Sequence, residues 1–146
     1  MTLKLILDEN VIEFAARVQN ENDGLDITCL SLISDIIKRC DNIYCTQELM
    51  DAYSRKLKEL SVKVGGVQII AKLLVIAKTC GKIKVRPPAP KLPNEEGIPD
   101  DDRYLVRLAV ITGCTLVSAD GRLQKRLEET KLIEKHGIKI KHPRDI

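Results

Sequence analysis

Apolar residues occur in short blocks divided by polar breaks, and the spacing within each block separates strands from helices. Leu3-Lys4-Leu5-Ile6-Leu7 is apolar except for Lys4 and stops on Asp8-Glu9-Asn10, which predicts a strand over Leu3–Leu7. Val11, Phe14, Ala15 and Val18 recur at helical spacing, so a helix is predicted over Val11–Gln19. A polar turn, Asn20–Gly24, leads to a second helix over Ile27–Arg39, striped by Leu30, Ile33, Ile36 and Ile37. Ile43-Tyr44-Cys45 is a second β-prone run. Thr46 then has the chemistry of a helix N-cap, and the helix behind it runs to about Ser61, with Leu49, Ala52, Tyr53, Leu57 and Leu60 turned inward. Gly65-Gly66 interrupts the chain before an apolar helix over Val67–Thr79, ended by Cys80-Gly81.

In the second half, Lys82–Arg86 alternates basic and apolar residues, as an edge strand or an extended arm does. Pro87–Pro99 holds five of the six prolines and is predicted to be an irregular loop. A helix follows over Asp100–Thr112, with Leu105, Leu108 and Ala109 buried and Gly113 as its stop. Cys114–Ser118 reads as a third central strand that leads, like the first, to an acid, Asp120. Arg122–Lys135 is predicted as one polar-faced helix and Ile138–Lys141 as a last edge strand. Strands separated by helical segments define an α/β protein, a three-layer α/β/α sandwich with a mostly parallel central sheet. The 146 residues suit a single domain over residues 1–146.

Right-handed crossovers bring all parallel carboxyl ends to one edge of such a sheet. Asp8, Glu48 and Asp120 each follow a predicted strand, so they are expected at that edge. Asp100-Asp101-Asp102 joins them only if its helix starts there. Carboxylates that converge repel one another and call for a cation. Magnesium and manganese take oxygen ligands, often one or two carboxylates with waters, and serve phosphodiester hydrolysis. The charge distribution supports a polyanionic substrate. Net charge is −6 over Met1–Ser54, +9 over Arg55–Lys91 and zero from Leu92 onward. A basic segment is a phosphate-attracting face, although lysines also serve simply to solvate helices.

Composition narrows the remaining options. Aromatic content is 3% with no Trp, which argues against extended base-stacking platforms. Five cysteines without a CxxC spacing read as reduced thiols packed in the core. His136 and His142 are too few and too distant from the cysteines for a zinc site. No apolar run reaches membrane-spanning length, and Met1-Thr2-Leu3 leads directly into the first strand, so a cytoplasmic protein without a membrane partner is expected. No Gly-rich turn follows the first strand, which weighs against a dinucleotide-binding protein. A receiver-like regulator would need a phospho-acceptor Asp at the end of a middle strand, where Cys45 stands instead.

Three blocks carry a more specific likeness. LILDENVIEF, CTQELMDAYSRKL and DDDRYLVRLAVITGCTLVSAD resemble, in order and spacing, the three blocks of PIN-domain ribonucleases, a group that includes the VapC-type toxins and related archaeal proteins. Together they cover roughly a third of the chain. The resemblance implies a Mg2+- or Mn2+-dependent endoribonuclease that cuts single-stranded or loop RNA to a 5′-phosphate and a 3′-hydroxyl. It further implies an antitoxin as protein partner and a homodimer, for which an exposed Tyr53 and the Val67–Ala77 helix are candidate surfaces. Residue by residue, Asp8 matches the first family acid, Glu48 the helix Glu, and Asp120 the last acid. Asn10 and Ser118 match positioning residues. The third acid stays open between two positions. An Ala seven residues on selects Asp102, before Ala109, and a helix starting one residue differently selects Asp101. Asp8, Asp102 and Asp120, with Asp101 in support, are the expected metal ligands, and Glu48 completes the catalytic set.

Each assignment has an ordinary alternative. Asp8 would otherwise cap the next helix, Glu48 would be a first-turn Glu, Asp101 and Asp102 would answer a helix dipole, and Asp120 would be a turn residue. Arg122 and Arg126, one turn apart beside Asp120, and the strip Lys82, Lys84, Arg86 are the candidate RNA-binding cations. The same acid set on a catalytically silent scaffold would make an RNA-binding or assembly module.

Overall fold

The computed structural model describes residues 2–39, 41–61 and 67–146. Five strands form one sheet: β1 (Lys4–Leu7), β2 (Asn42–Thr46), β3 (Ile83–Arg86), β4 (Thr115–Val117) and β5 (Lys139–Lys141). Every pairing is parallel and the order is β3-β2-β1-β4-β5. The helices are α1 (Glu9–Arg17), α2 (Thr28–Lys38), α3 (Gln47–Leu60), α4 (Val67–Thr79), α5 (Asp100–Thr112), α6 (Arg122–Glu129) and α7 (Leu132–His136). The chain builds outward from β1 to β3, then returns past β1 to build β4 and β5 on the other side. Right-handed crossovers therefore put α1–α4 on one face and α5–α7 on the other. The first four helices pack on one another, and α5 packs on β4. This is the expected α/β/α sandwich, with a wholly parallel sheet.

β1 is central and its alternation is suppressed, because both faces are covered. Leu5, Ile6 and Leu7 are all buried. Register fixes the geometry beyond the strand: Leu5, Ile6 and Leu7 pair with Thr115, Leu116 and Val117. Asp8 and Ser118 consequently leave the sheet side by side, and the Asp8 amide still donates to the Val117 carbonyl at 2.9 Å. α3 is N-capped by Thr46, whose hydroxyl accepts from the Leu49 amide at 3.2 Å.

Two expectations are corrected. Tyr53 is buried, not a contact surface; its hydroxyl donates to the Leu7 carbonyl and ties α3 to the end of β1. The predicted Arg122–Lys135 helix is two helices. Thr130 bonds back to the Arg126 and Leu127 carbonyls, and Lys131 takes a left-handed conformation, φ 60°. The break brings the Thr130 methyl onto Gly97, where a Cβ would sit 2.5 Å from it. The Gly65-Gly66 break lies outside the described residues, as does Cys40. Cys29, Cys45 and Cys114 are buried and Cys80 is exposed, all as free thiols. Among the described residues no helix is long and apolar enough to cross a membrane. α4 leaves Ile69, Val75 and Ile76 about half exposed or more.

The proline-rich loop is strapped down rather than loose. Residues Glu95–Gly97 form a 3-10 turn and Ile98 is buried. The Glu95 carboxylate accepts from both Arg107 on α5 and the Leu92 amide, while Arg103 donates to the Ile98 and Glu96 carbonyls. This clamp sets where α5 begins. The Arg107 hydrogen bond pulls the Glu95 pKa from 4.5 down to about 2. Its stabilisation is therefore present above pH 4.5 and lost as pH falls towards 2. Glu95→Gln should lower the melting temperature by a few degrees at pH 7, with the gap to wild type closing between pH 4.5 and 2 in thermal melts. A gap that does not change with pH would contradict the clamp.

Candidate active site

The carboxyl ends of β1 and β4 are neighbours whose connections leave in opposite directions. Open parallel sheets bind ligands at such a switch point. Here β1 delivers Asp8 and β4 delivers Ser118, Ala119 and Asp120. Asn10, in the first turn of α1, bridges the two ends: its amide nitrogen donates to the Ser118 hydroxyl at 3.1 Å, and its oxygen accepts from the Ala119 amide at 3.0 Å. The Ser118 hydroxyl has two acceptors for its one proton, Asp8 Oδ2 and the Asp120 carbonyl, both at 3.2 Å. Asn10 and Ser118 are thus placed to position Asp8. Asp8 precedes α1 but its side chain makes no capping bond there.

A cleft of about 350 Å³ joins these residues to the start of α5 and the face of α6. Asp8, Asn10, Ser118 and Asp120 line it with Asp101, Asp102, Arg122 and Arg126. Three separate stretches of chain meet there. Asp102 is the more buried of the two α5 candidates, Asp101 being exposed. Glu48 lies elsewhere: it lines an adjoining cleft of about 360 Å³ with Arg55, Lys56 and Tyr104. The two clefts share Glu9 and Asp101. Glu48 falls there because β2 is one strand further from the switch point.

The acids are held in tension. Asp8 is 6% exposed, and burial, then the charge of Asp102, push its pKa up to about 7. Burial raises Asp102 as well, helped by Asp101, Asp120 and Glu9 and opposed by Arg126. Asp120 differs. Burial pushes it up, but Arg122 outweighs burial and holds it below the usual range. Its Oδ1 accepts from the Arg122 amide at 2.8 Å, and its Oδ2 accepts from Arg122 Nε and Nη2 at 2.9 and 2.7 Å. Among the described residues no three carboxylate, His or Cys side chains are grouped closely enough to hold a metal ion. The cleft nevertheless suits a hard divalent cation. Its side-chain ligand atoms would be oxygens. Asp8 and Asp102, like Glu9 and Asp101, have no ion-pair partner among the described residues, and magnesium commonly needs no more than one or two carboxylates.

Of the other predicted cations, Arg126 reaches the cleft, and Lys84 and Arg86 lie on the far part of the sheet. Lys82 turns away, its ammonium donating to the Arg39 carbonyl. The Asn10–Ala119 bond and the Arg122 tether were not visible in the sequence. The first depends on pairing two strands whose ends lie 109 residues apart in the chain. The second is local, from Asp120 to a residue two positions on, but an Arg there reads equally well as a solvated helix residue.

No family model matches the chain, and no curated protein matches it. Among solved structures, the chain is similar to one of VapBC2 from Rickettsia felis bound to a DNA fragment from their promoter. The likeness spans 96% of this chain and 98% of that one, at a TM-score of 0.50 and 10% identity. It shows the fold, which is PIN-like, as the three sequence blocks imply.

A pH signature is expected for the metal-free protein. Between pH 3.8 and about 7 the native state keeps a proton on Asp8 that the unfolded chain has released. Stability therefore falls as pH rises through this window. Asp8→Asn removes the effect, so its stability relative to wild type should rise from pH 4 to pH 8, by up to about 4 kcal/mol. Chemical denaturation in EDTA at both pH values measures it; the same difference at both would contradict a strained Asp8 carboxylate.

Proposed function

We propose that the protein is a Mg2+- or Mn2+-dependent endoribonuclease that hydrolyses RNA phosphodiester bonds. The observation that carries this reading is the convergence of Asp8, Asp102 and Asp120 on one cleft beside Arg122 and Arg126. Asp8 and Asp102 would hold the cation, with Asp101 at the rim and Asp120 joining when Arg122 turns to a phosphate. When bound, the cation supplies charge neutralisation and polarises a phosphoryl oxygen. Ser118 and Asn10 orient Asp8. Arg122, with an 88% exposed side chain, and Arg126 face solvent where a backbone phosphate approaches. The Arg122 end of the Asp120–Arg122 pair lies in solvent, where a phosphate would compete with Asp120 for the guanidinium. Glu48, across Glu9 and Asp101, is placed to act on the strand beside the cation or to orient water.

The VapBC2 likeness supports the toxin reading, in which an antitoxin covers this chain. The exposed apolar row Ile69, Val75 and Ile76 supports a protein partner, either an antitoxin or a second copy. One observation favours the alternative of a silent RNA-binding or assembly module: Asp120 is already satisfied by Arg122.

Cleavage of an RNA panel with Mg2+ or Mn2+ decides between them. The expected result is metal-dependent products bearing 5′-phosphates, lost in EDTA and reduced to background in Asp8→Asn and Asp120→Asn. Normal cleavage by either variant would overturn the site. RNA binding without cleavage, by both wild type and Arg122→Ala, would leave the silent module.

A further inference from the structure

A second cleft, of about 390 Å³, lies away from the acids. Its floor is the sheet face opposite α1–α4. Tyr44 of β2 pairs with Lys84 of β3, and Arg86 lies two residues further on, so Tyr44, Lys84 and Arg86 project from the same face. The Arg86 guanidinium sits 5.2 Å over the Tyr44 ring. Lys4 at the start of β1 and Ile111 near the end of α5 form the walls, and Pro87-Pro88 closes one side. No acid lines it, and among the described residues no carboxylate pairs with Lys4, Lys84 or Arg86. Ile111 is 59% exposed.

We propose that this cleft is a metal-independent exosite for single-stranded RNA. The exposed Arg86 guanidinium, held over the partly buried Tyr44 ring, gives a planar cationic face on which a base stacks without regard to sequence. Lys4 and Lys84 beside it offer ammonium groups to the flanking phosphates. α5 links the exosite to the candidate active site. Its first turn carries Asp102 into the acid cleft, and Ile111, nine residues on, lines the exosite. At about 1.5 Å per residue the two are roughly 14 Å apart along the helix, a span a short strand covers. The exosite would hold the substrate at a distance from the bond being cut, so that long RNAs are favoured over short ones. This role rests on the ribonuclease reading, but the binding site does not.

The test is fluorescence anisotropy of a labelled single-stranded RNA in EDTA, where no cleavage occurs. Tyr44→Ala should bind roughly ten-fold more weakly, and Tyr44→Phe, which keeps the ring, should bind as wild type. Lys4→Glu with Lys84→Glu should weaken binding further and reduce the salt slope by about 0.7 for each phosphate no longer engaged. With Mn2+, Tyr44→Ala should slow cleavage of long RNAs and leave short oligonucleotides unchanged. Tyr44→Ala binding RNA as wild type, or an acidic peptide displacing RNA from the wild type while itself losing affinity in Tyr44→Ala, would overturn the exosite. Binding that depends on Tyr44 in a protein that never cleaves would instead overturn the ribonuclease reading and leave the exosite standing.

Discussion

The site depends on one constraint, the burial of the Asp8 carboxyl at the end of the central strand. β1 has neighbours on both sides and helices on both faces, so the residue after Leu7 emerges inside the molecule. An acid there loses most of its hydration, and Asp102 adds its own charge. The surroundings answer in part. Ser118 offers a hydroxyl, Asn10 fixes that hydroxyl, and Arg126 tempers Asp102. None of them neutralises Asp8. A fold that keeps a buried carboxylate without a positive partner places its unmet electrostatic demand in the cleft.

That demand separates two kinds of acid. Among the described residues, Asp8 and Asp102 have no cation at hydrogen-bonding distance, whereas Asp120 has one built in. Arg122 occupies both Asp120 oxygens from two residues away while its own side chain stays in solvent. The same guanidinium can serve the carboxylate or a phosphate, not both fully. On the proposed ribonuclease reading, binding RNA and freeing Asp120 would be one event, and by linkage a cation that prefers a freed Asp120 would strengthen RNA binding in return.

Much of this was legible in the sequence, for reasons that differ by residue. An acid after a strand is common in itself; Asp8 and Asp120 stood out because parallel topology makes such strand ends converge. Asp102 emerged through its block rather than its chemistry, since an acid in a first helical turn is unremarkable. Glu48 shared that logic, yet β2 lies one strand from the switch point, and its side chain falls into the neighbouring cleft. The helical pattern put Tyr53 on the inward stripe, where it lies, against its reading as a contact surface; its bond to the Leu7 carbonyl requires the tertiary fold. The break at Lys131 is marked by no Gly or Pro in the sequence; it coincides with the Thr130 hydroxyl bonding back to Arg126 and Leu127 and its methyl packing on Gly97. Lys82, Lys84 and Arg86 look equivalent in an alternating strip, but Lys82 is drawn to Arg39 and only Arg86 stacks on an aromatic ring.

The central claim is that carboxylates from β1, α5 and β4 share one divalent cation. Titrating Mn2+ into the protein and following backbone amide signals by NMR tests it most directly. Paramagnetic broadening should centre on residues near 8, 102 and 120, extend more weakly towards 48, and vanish in Asp8→Asn. Diffuse broadening over scattered surface acids, unchanged in that variant, would mean that the acids do not form one site.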